Sequence, residues 1–261
     1  MGIPKKIHYC WFGDGEMSQL EKKCIASWKK YCPDCEIIEW NESNYDVTKN
    51  QYMYQAYENK KWGFVPDYAR LDIVYQNGGV YFDTDVELIK PIDDLFQGEG
   101  FMGFEKAEQF EYKGYLVNTG QGFGAPIHNT IIKEMRDLYD SLQFVDNEGK
   151  LNLCTSPYYN TEVLVKEGLK QNNTMQKIKD IQIYPSEYFC PYSWESKKMA
   201  VTDNTYSIHH FNASWLSNKE KRIRRIERYV DSFIHLPNKM LLDILGKRRY
   251  EKLKNTLKKK V

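Results

Sequence analysis

Asp83 and Asp85, in Tyr81-Phe82-Asp83-Thr84-Asp85-Val86, stand two residues apart. On a strand that spacing puts both carboxylates on one side, where they converge on a hard cation, Mn2+ or Mg2+. Asp67 and Arg70 are three apart and share a face of the preceding helix, which the Gly78-Gly79 turn can fold back toward the aspartates. An arginine so placed meets a diphosphate or sugar oxygen, and the aspartate accepts from hydroxyls. The plain alternative is a surface ion pair of little energetic worth. His209 and His210 supply imidazole, which a borderline cation such as Mn2+ accepts beside oxygen. Neighbouring strand residues face opposite ways, so one of the two reaches the cation. Cys32-Pro-Asp-Cys35 is half a zinc site with no second pair, and it follows a helix rather than opening one as a redox motif does.

The elements that must position these residues begin with a buried strand over Ile7 to Phe12, closed by Gly13-Asp14-Gly15. Ser18 and Glu21 form a capping box before a helix through Leu20, Cys24, Trp28 and Tyr31, and a strand follows over Glu36 to Trp40. This βαβ opening predicts a parallel pair with a right-handed crossover. Pro66 and the Asn77-Gly78-Gly79 stop predict a helix over Val65 to Gln76, and Val80 to Ile89 reads as one strand carrying both aspartates. Further expectations are helices over Asn129 to Phe144 and Thr161 to Lys170, and strands over Ile181 to Tyr184 and Tyr206 to Phe211.

The chain has 261 residues, enough for one large domain with an appendage. Lys plus Arg number 37 against 36 Asp plus Glu, which gives no global attraction to nucleic acid. The distribution is uneven. From Leu216 to Val261 there are 15 basic and 5 acidic residues, beside apolar positions at helical spacing such as Ile223, Ile226, Val230 and Phe233. That pattern fits peripheral contact with an anionic membrane, or helices packed on the core with a solvated basic face. No stretch reaches the roughly 20 apolar residues that cross a bilayer, and Met1 to Gly13 lacks a signal-peptide run. The six cysteines are irregularly spaced, as reduced thiols are. A cytoplasmic protein is expected.

The run Phe64-Val65-Pro66-Asp67-Tyr68-Ala69-Arg70, continuing through Asn77-Gly78-Gly79-Val80-Tyr81-Phe82-Asp83-Thr84-Asp85, resembles the DXD sugar-binding region of the Och1-like glycosyltransferases, family 32. Bacterial capsular polysaccharide synthesis enzymes share it, and the catalytic domains of the clostridial glucosylating toxins are more distantly similar. Ile3 to Gly13 resembles that family's first strand, with Cys10 and Trp11 at positions that hold the nucleotide base. Asn118, in Leu116-Val117-Asn118-Thr119-Gly120, resembles an asparagine loop near the transferred sugar. Thr155-Ser156-Pro157 resembles a Thr-Gly-Pro element, with Ser156 in place of the usual glycine. Ile208 to Trp215 resembles a His-His-x-x-x-Ser-Trp segment.

The resemblance implies an α/β fold of GT-A type, a Rossmann-like mixed sheet flanked by helices, over residues 1–216, with a basic helical extension over 217–261. It implies a metal-dependent, retaining transfer from a nucleotide-sugar, a UDP-sugar ahead of a GDP-sugar, to a glycan or lipid-linked acceptor, as in capsule synthesis. Asp83, Asp85 and a histidine would hold the metal, and the likeness to the distant relatives, whose metal ligand stands at a matching distance before the tryptophan, implies His210, with His209 as the other choice. Arg70 would meet phosphate and Asp67 sugar hydroxyls, while Cys10, Trp11 and Trp215 would line the nucleotide. Two alternatives stand beside this reading. A haloacid-dehalogenase-like phosphohydrolase also carries Asp-x-Asp, but neither Val86 nor Glu87 supplies its threonine and about 80 residues precede the motif here. An inactive carbohydrate-binding scaffold would have no reason to keep the charged set.

Overall fold

The computed structural model describes residues 2–107, 114–193 and 198–212. The first strand, β1 (Lys6–Cys10), leads to helix α1 (Gln19–Tyr31) and strand β2 (Glu36–Trp40), which pairs with β1 in parallel. Ser18 and Glu21 close the capping box at the start of α1, and Lys29 and Lys30 sit in its last turn, where the helix dipole favours positive charge. Helix α2 (Gln51–Glu58) is capped by Asn50 and was not legible from the sequence pattern.

Helix α3 (Val65–Asn77) takes Pro66 in its first turn and stops at Gly78. Gly78 and Gly79 both have positive φ, and a Cβ at Gly79 would come within 2.8 Å of the Lys6 carbonyl and 3.0 Å of His8 Nε2. Only glycine therefore lets strand β3 (Gly79–Tyr81) lie parallel to β1 with the turn pressed against His8.

The single strand expected over Val80 to Ile89 is two. After β3 the chain turns at 82–85, and β4 (Val86–Leu88) pairs instead with β12 (Ser207–His209) in a separate ribbon. The turn forms because Asp83 N donates to Gly120 O across the sheet edge and Val86 N donates back to Asp83 O, which ends the β3 ladder. Helix α4 (Asp93–Phe96) follows, then strands β5 (Phe101–Ala107), β6 (Gly114–Val117) and β7 (Phe123–Ala125).

Helix α5 (Thr130–Leu138) ends before Phe144 and passes into a single 3-10 turn, and α6 (Ser156–Lys166) begins five residues before the expected start at Thr161. The early start follows from Pro157, whose fixed φ suits a first turn. Strands β8 (Gln176–Ile178) and β9 (Ile181–Tyr184) form a hairpin, and β10 (Tyr192–Ser193) pairs with β11 (Lys198–Met199).

The main sheet runs β2-β1-β3-β7-β5-β9-β8, with β6 on β5. It is mixed: β1 pairs with β2 and β3 in parallel, and β7 is antiparallel to both β3 and β5. Consequently β1, β3 and β5 run the same way, and their carboxyl ends share one edge, the usual place for a ligand in an open α/β sheet. Ile7, Trp28, Val80, Phe82, Val86, Leu88 and Phe101 form the core beneath that edge. Residues 1–212 form one compact unit; the expected basic helical extension over 217–261, and Trp215 before it, lie outside the described residues. Among the described residues no helix is long and apolar enough to cross a membrane.

Candidate active site

At the shared edge, α3 delivers Asp67 and Arg70 and the turn after β3 delivers Asp83 and Asp85. Asp67 and Arg70 are not the surface pair that spacing alone allowed; each is only 4% exposed. Arg70 Nη2 lies 3.1 Å from Asp67 Oδ1 and 3.3 Å from Asp83 Oδ1, so one guanidinium joins the helix to the motif. Its Nε donates to the Pro66 carbonyl at 3.0 Å, and its plane lies over the Tyr81 ring at 5.2 Å. Burial disfavours charge on Arg70, but Asp83, Tyr81 and Asp67 outweigh it and keep the group cationic.

Burial pushes Asp67 up to about 7; Arg70 opposes this, Asp83 adds to it, and a hydrogen bond with Ser156 opposes it. Ser156, the residue that departs from the expected Thr-Gly-Pro pattern, thus has its hydroxyl on the site. Tyr81 donates from its hydroxyl to Asp83 Oδ1 at 3.0 Å.

Asp85 is held by β12 and the residues after it. His209 Nε2 lies 3.3 Å from Asp85 Oδ1, Asn212 N donates to Asp85 Oδ2 at 2.8 Å, and His210 N donates to the Asp85 carbonyl at 3.0 Å. Burial alone would raise this carboxyl, yet His209 and the Asn212 amide hold it at about 2. Burial likewise acts against a charged His209, and Asp85 reverses that, so its pKa is raised.

Of the two histidines, the geometry brings His209, not the preferred His210, to the aspartates. His209 joins the aspartates, whereas the His210 ring turns to the other side of the strand and meets Glu87 at 2.9 Å, with Lys23 on the same carboxylate. Strand alternation decides it: His209 pairs with Val86 and faces inward with Ser207, and His210 cannot share that face.

One ligand atom each from Asp83, Asp85 and His209 lies within 4.8 Å of the others, two carboxylate oxygens and one imidazole nitrogen. That donor set fits Mn2+ and, with less nitrogen preference, Mg2+.

Cys10 ends β1 beside Tyr81 and Arg70, but it is buried and its thiol is pushed up to about 12 by that burial, so it packs rather than reacts. Trp11, just past the strand end, is half-buried and donates from Nε1 to the Gly15 carbonyl at 2.7 Å. Asn118 is buried, with Nδ2 donating to Glu105 Oε2 at 2.8 Å and Oδ1 accepting from Gly120 N at 2.6 Å.

Sequence reasoning missed Glu105, Tyr81 and Gly120 as members of the site. No motif marks Glu105, and only the strand order brings it to this edge. Gly120 could not be told from any loop glycine, yet a Cβ there would fall on the Asp83 carboxylate and lie 2.9 Å from Arg70 Nη1.

Residues 18–102 match the family model described as a glycosyltransferase sugar-binding region containing a DXD motif. That span includes Asp67, Arg70, Asp83 and Asp85. Among solved structures, the PaToxG glycosyltransferase is 22% identical, with a TM-score of 0.50 over 64% of this chain and 70% of that one. A glycosyltransferase involved in the glycosylation of the major capsid of PBCV-1 is 11% identical, with a TM-score of 0.44 over 85% and 98%. A variant of LgtC is 10% identical, with a TM-score of 0.40 over 86% and 95%. No curated protein matches the sequence. The fold is that of the GT-A glycosyltransferases, and the stretch that matches the DXD sugar-binding region lies at the carboxyl edge of its sheet.

Proposed function

We propose that the protein transfers a sugar from a nucleotide-sugar donor, a UDP-sugar in preference to a GDP-sugar, in a reaction that needs Mn2+ or Mg2+ and retains anomeric configuration. The acceptor is a glycan or a lipid-linked glycan of a surface polysaccharide such as capsule. The observation that carries the reading is the arrangement of Asp83, Asp85 and His209 as one oxygen and nitrogen donor set, with Asp83 tied to a buried Arg70 and Asp67.

Asp83, Asp85 and His209 would hold the cation, which when bound supplies Lewis-acid stabilisation of the departing diphosphate. Asp85 enters ionised because its carboxyl is held at about 2. His209 would have to be neutral for its imidazole to hold the cation beside the two carboxylates. Arg70 brings a fixed positive charge that needs no reorganisation as the diphosphate leaves, since Asp67, Asp83 and the Pro66 carbonyl already set its orientation. Asp67, sharing its carboxylate with Arg70 and Ser156, faces sugar hydroxyls. Asn118 lies beside the sugar, and Trp11 at the end of β1 packs against the base or ribose. Retention follows the resemblance of residues 64–88, with the acceptor hydroxyl attacking from the face the diphosphate leaves.

A screen of UDP- and GDP-sugars, following nucleotide release with and without Mn2+, tests this assignment. Release from at least one donor, dependent on the added cation, is the expected result. Phosphate release from simple monoesters without any nucleotide would return the chain to the phosphohydrolase reading.

A further inference from the structure

Glu105 is a carboxylate of this site that no motif names. It lies near the carboxyl end of β5, which runs in the same direction as β1 and β3, so the sheet order brings it to the edge that carries Cys10 and Asp83. Its Oε2 accepts from Asn118 Nδ2 at 2.8 Å, Asn118 Oδ1 accepts from Gly120 N at 2.6 Å, and Gly120 O accepts from Asp83 N at 2.9 Å. Hydrogen bonds therefore run without a break from Glu105 to the backbone of the DXD turn.

Two features make this chain exacting. An asparagine amide has two orientations, and only the one with Nδ2 toward Glu105 leaves Oδ1 for the Gly120 amide; the Glu105 oxygen, by accepting, selects that orientation. Gly120 also sits so near the site that an added Cβ would fall on the Asp83 carboxylate, 2.9 Å from Arg70 Nη1 and 3.0 Å from Asn118 Oδ1. With no slack there, movement of residues 118–120 passes directly to Asp83 and Arg70.

We infer that Glu105 is a positioning residue for sugar transfer: it locks the Asn118 amide so that the turn at 118–120 holds Asp83 against Arg70. The inference rests on the transfer reading above. Glu105 acts through Asn118 and Gly120 and contacts no reacting atom.

The test uses Glu105→Ala, Glu105→Gln, Asn118→Asp and the pair Glu105→Gln with Asn118→Asp in the full chain. For each, kcat and KM for the donor are measured, together with the backbone amide NMR shifts of Gly120 and Asp83. Glu105→Ala lowers kcat by roughly tenfold or more with a smaller change in KM, since misplacement is felt most in the transition state, and it moves both amide resonances. Glu105→Gln keeps an acceptor for Asn118 Nδ2, stays within about threefold of the parent in kcat, and leaves the resonances in place. Asn118→Asp sets carboxylate against carboxylate and loses activity, and the paired variant, whose glutamine now donates, recovers it.

A loss in Glu105→Gln as large as in Glu105→Ala would overturn the inference by giving the negative charge itself a direct role. Unmoved Gly120 and Asp83 resonances in Glu105→Ala would overturn it as well. If the parent protein transfers no sugar from any donor, the proposed function fails by that result alone, and the two amide resonances still decide whether Glu105 sets the turn.

Discussion

Arg70 carries the site at the level of single residues, because one buried guanidinium serves two carboxylates from different elements. Lysine keeps the charge but lacks the planar fork. Arg70→Lys is therefore expected to lower kcat by on the order of a hundredfold with a nearly unchanged melting temperature, the loss typical of one preorganised transition-state contact. Arg70→Ala should in addition cost about 3 kcal/mol of stability in urea unfolding, because it strands two acidic groups in the interior. An Arg70→Lys enzyme with full turnover would remove Arg70 from catalysis. His8 supplies a separate expectation away from the metal ligands. It accepts from Trp40 at Nδ1 and donates from Nε2 to the Gly78 carbonyl, and burial lowers its pKa to about 4. Below pH 6.5 an unfolded chain takes up a proton that the folded chain refuses until about pH 4, so the stability tied to His8 is complete above that window. It is lost as pH falls through the window, by up to about 3 kcal/mol. Urea unfolding at pH 7.5 and 4.5 checks this against His8→Asn, whose profile should be flatter. The sequence spacing was sufficient to bring Asp67 and Arg70 to one face, but it could not show their burial, which depends on how α2 and α5 pack over α3 and on Ser156 meeting Asp67. It also left two histidines where strand alternation admits one.

At the level of elements, the motif works because it is not a strand. A continuous ladder over 80–89 would have fixed the aspartates to the sheet, whereas the turn at 82–85 frees their carboxylates to meet α3 on one side and β12 on the other. Gly120 is the tightest point of that arrangement. Gly120→Ala is expected to weaken Mn2+ binding by about tenfold or more, measured by calorimetric titration, because its methyl group displaces Asp83. Undiminished binding would show that the turn has room the structure does not give it. Elements with end signals were legible in the sequence: the Ser18 and Glu21 box, Pro66, and the paired glycines after Asn77 each mark a boundary by a mechanism. Strands β5 and β7 were not, because Gly103 and Gly124 interrupt their alternation. Those glycines answer to distant rings, Gly103 to Phe189 and Gly124 to Phe101, and such contacts exist only once the sheet is assembled.

The whole molecule divides its charge between an acidic body and a basic tail, with 15 of the 37 Lys and Arg residues in the last 46 positions. We propose that this tail, residues 217–261, holds the enzyme at an anionic membrane surface where a lipid-linked acceptor resides. Exchange of its lysines and arginines for glutamine in the full chain should abolish co-sedimentation with vesicles containing anionic lipid and leave nucleotide release from free donor unchanged. Unaltered co-sedimentation would refute the tail's role without touching the site. The central claim is that Asp83, Asp85 and His209 make sugar transfer depend on a divalent cation, and one comparison tests it most directly. Nucleotide release from the preferred donor is followed across a Mn2+ titration in the parent protein and in Asp85→Asn. The account predicts saturable activation in the parent and a loss of a hundredfold or more, on the order expected for removing a transition-state charge partner, in a variant that remains folded at the assay temperature. Equal release by the two proteins, or release by the parent that is indifferent to Mn2+, Mg2+ and chelator alike, would contradict it.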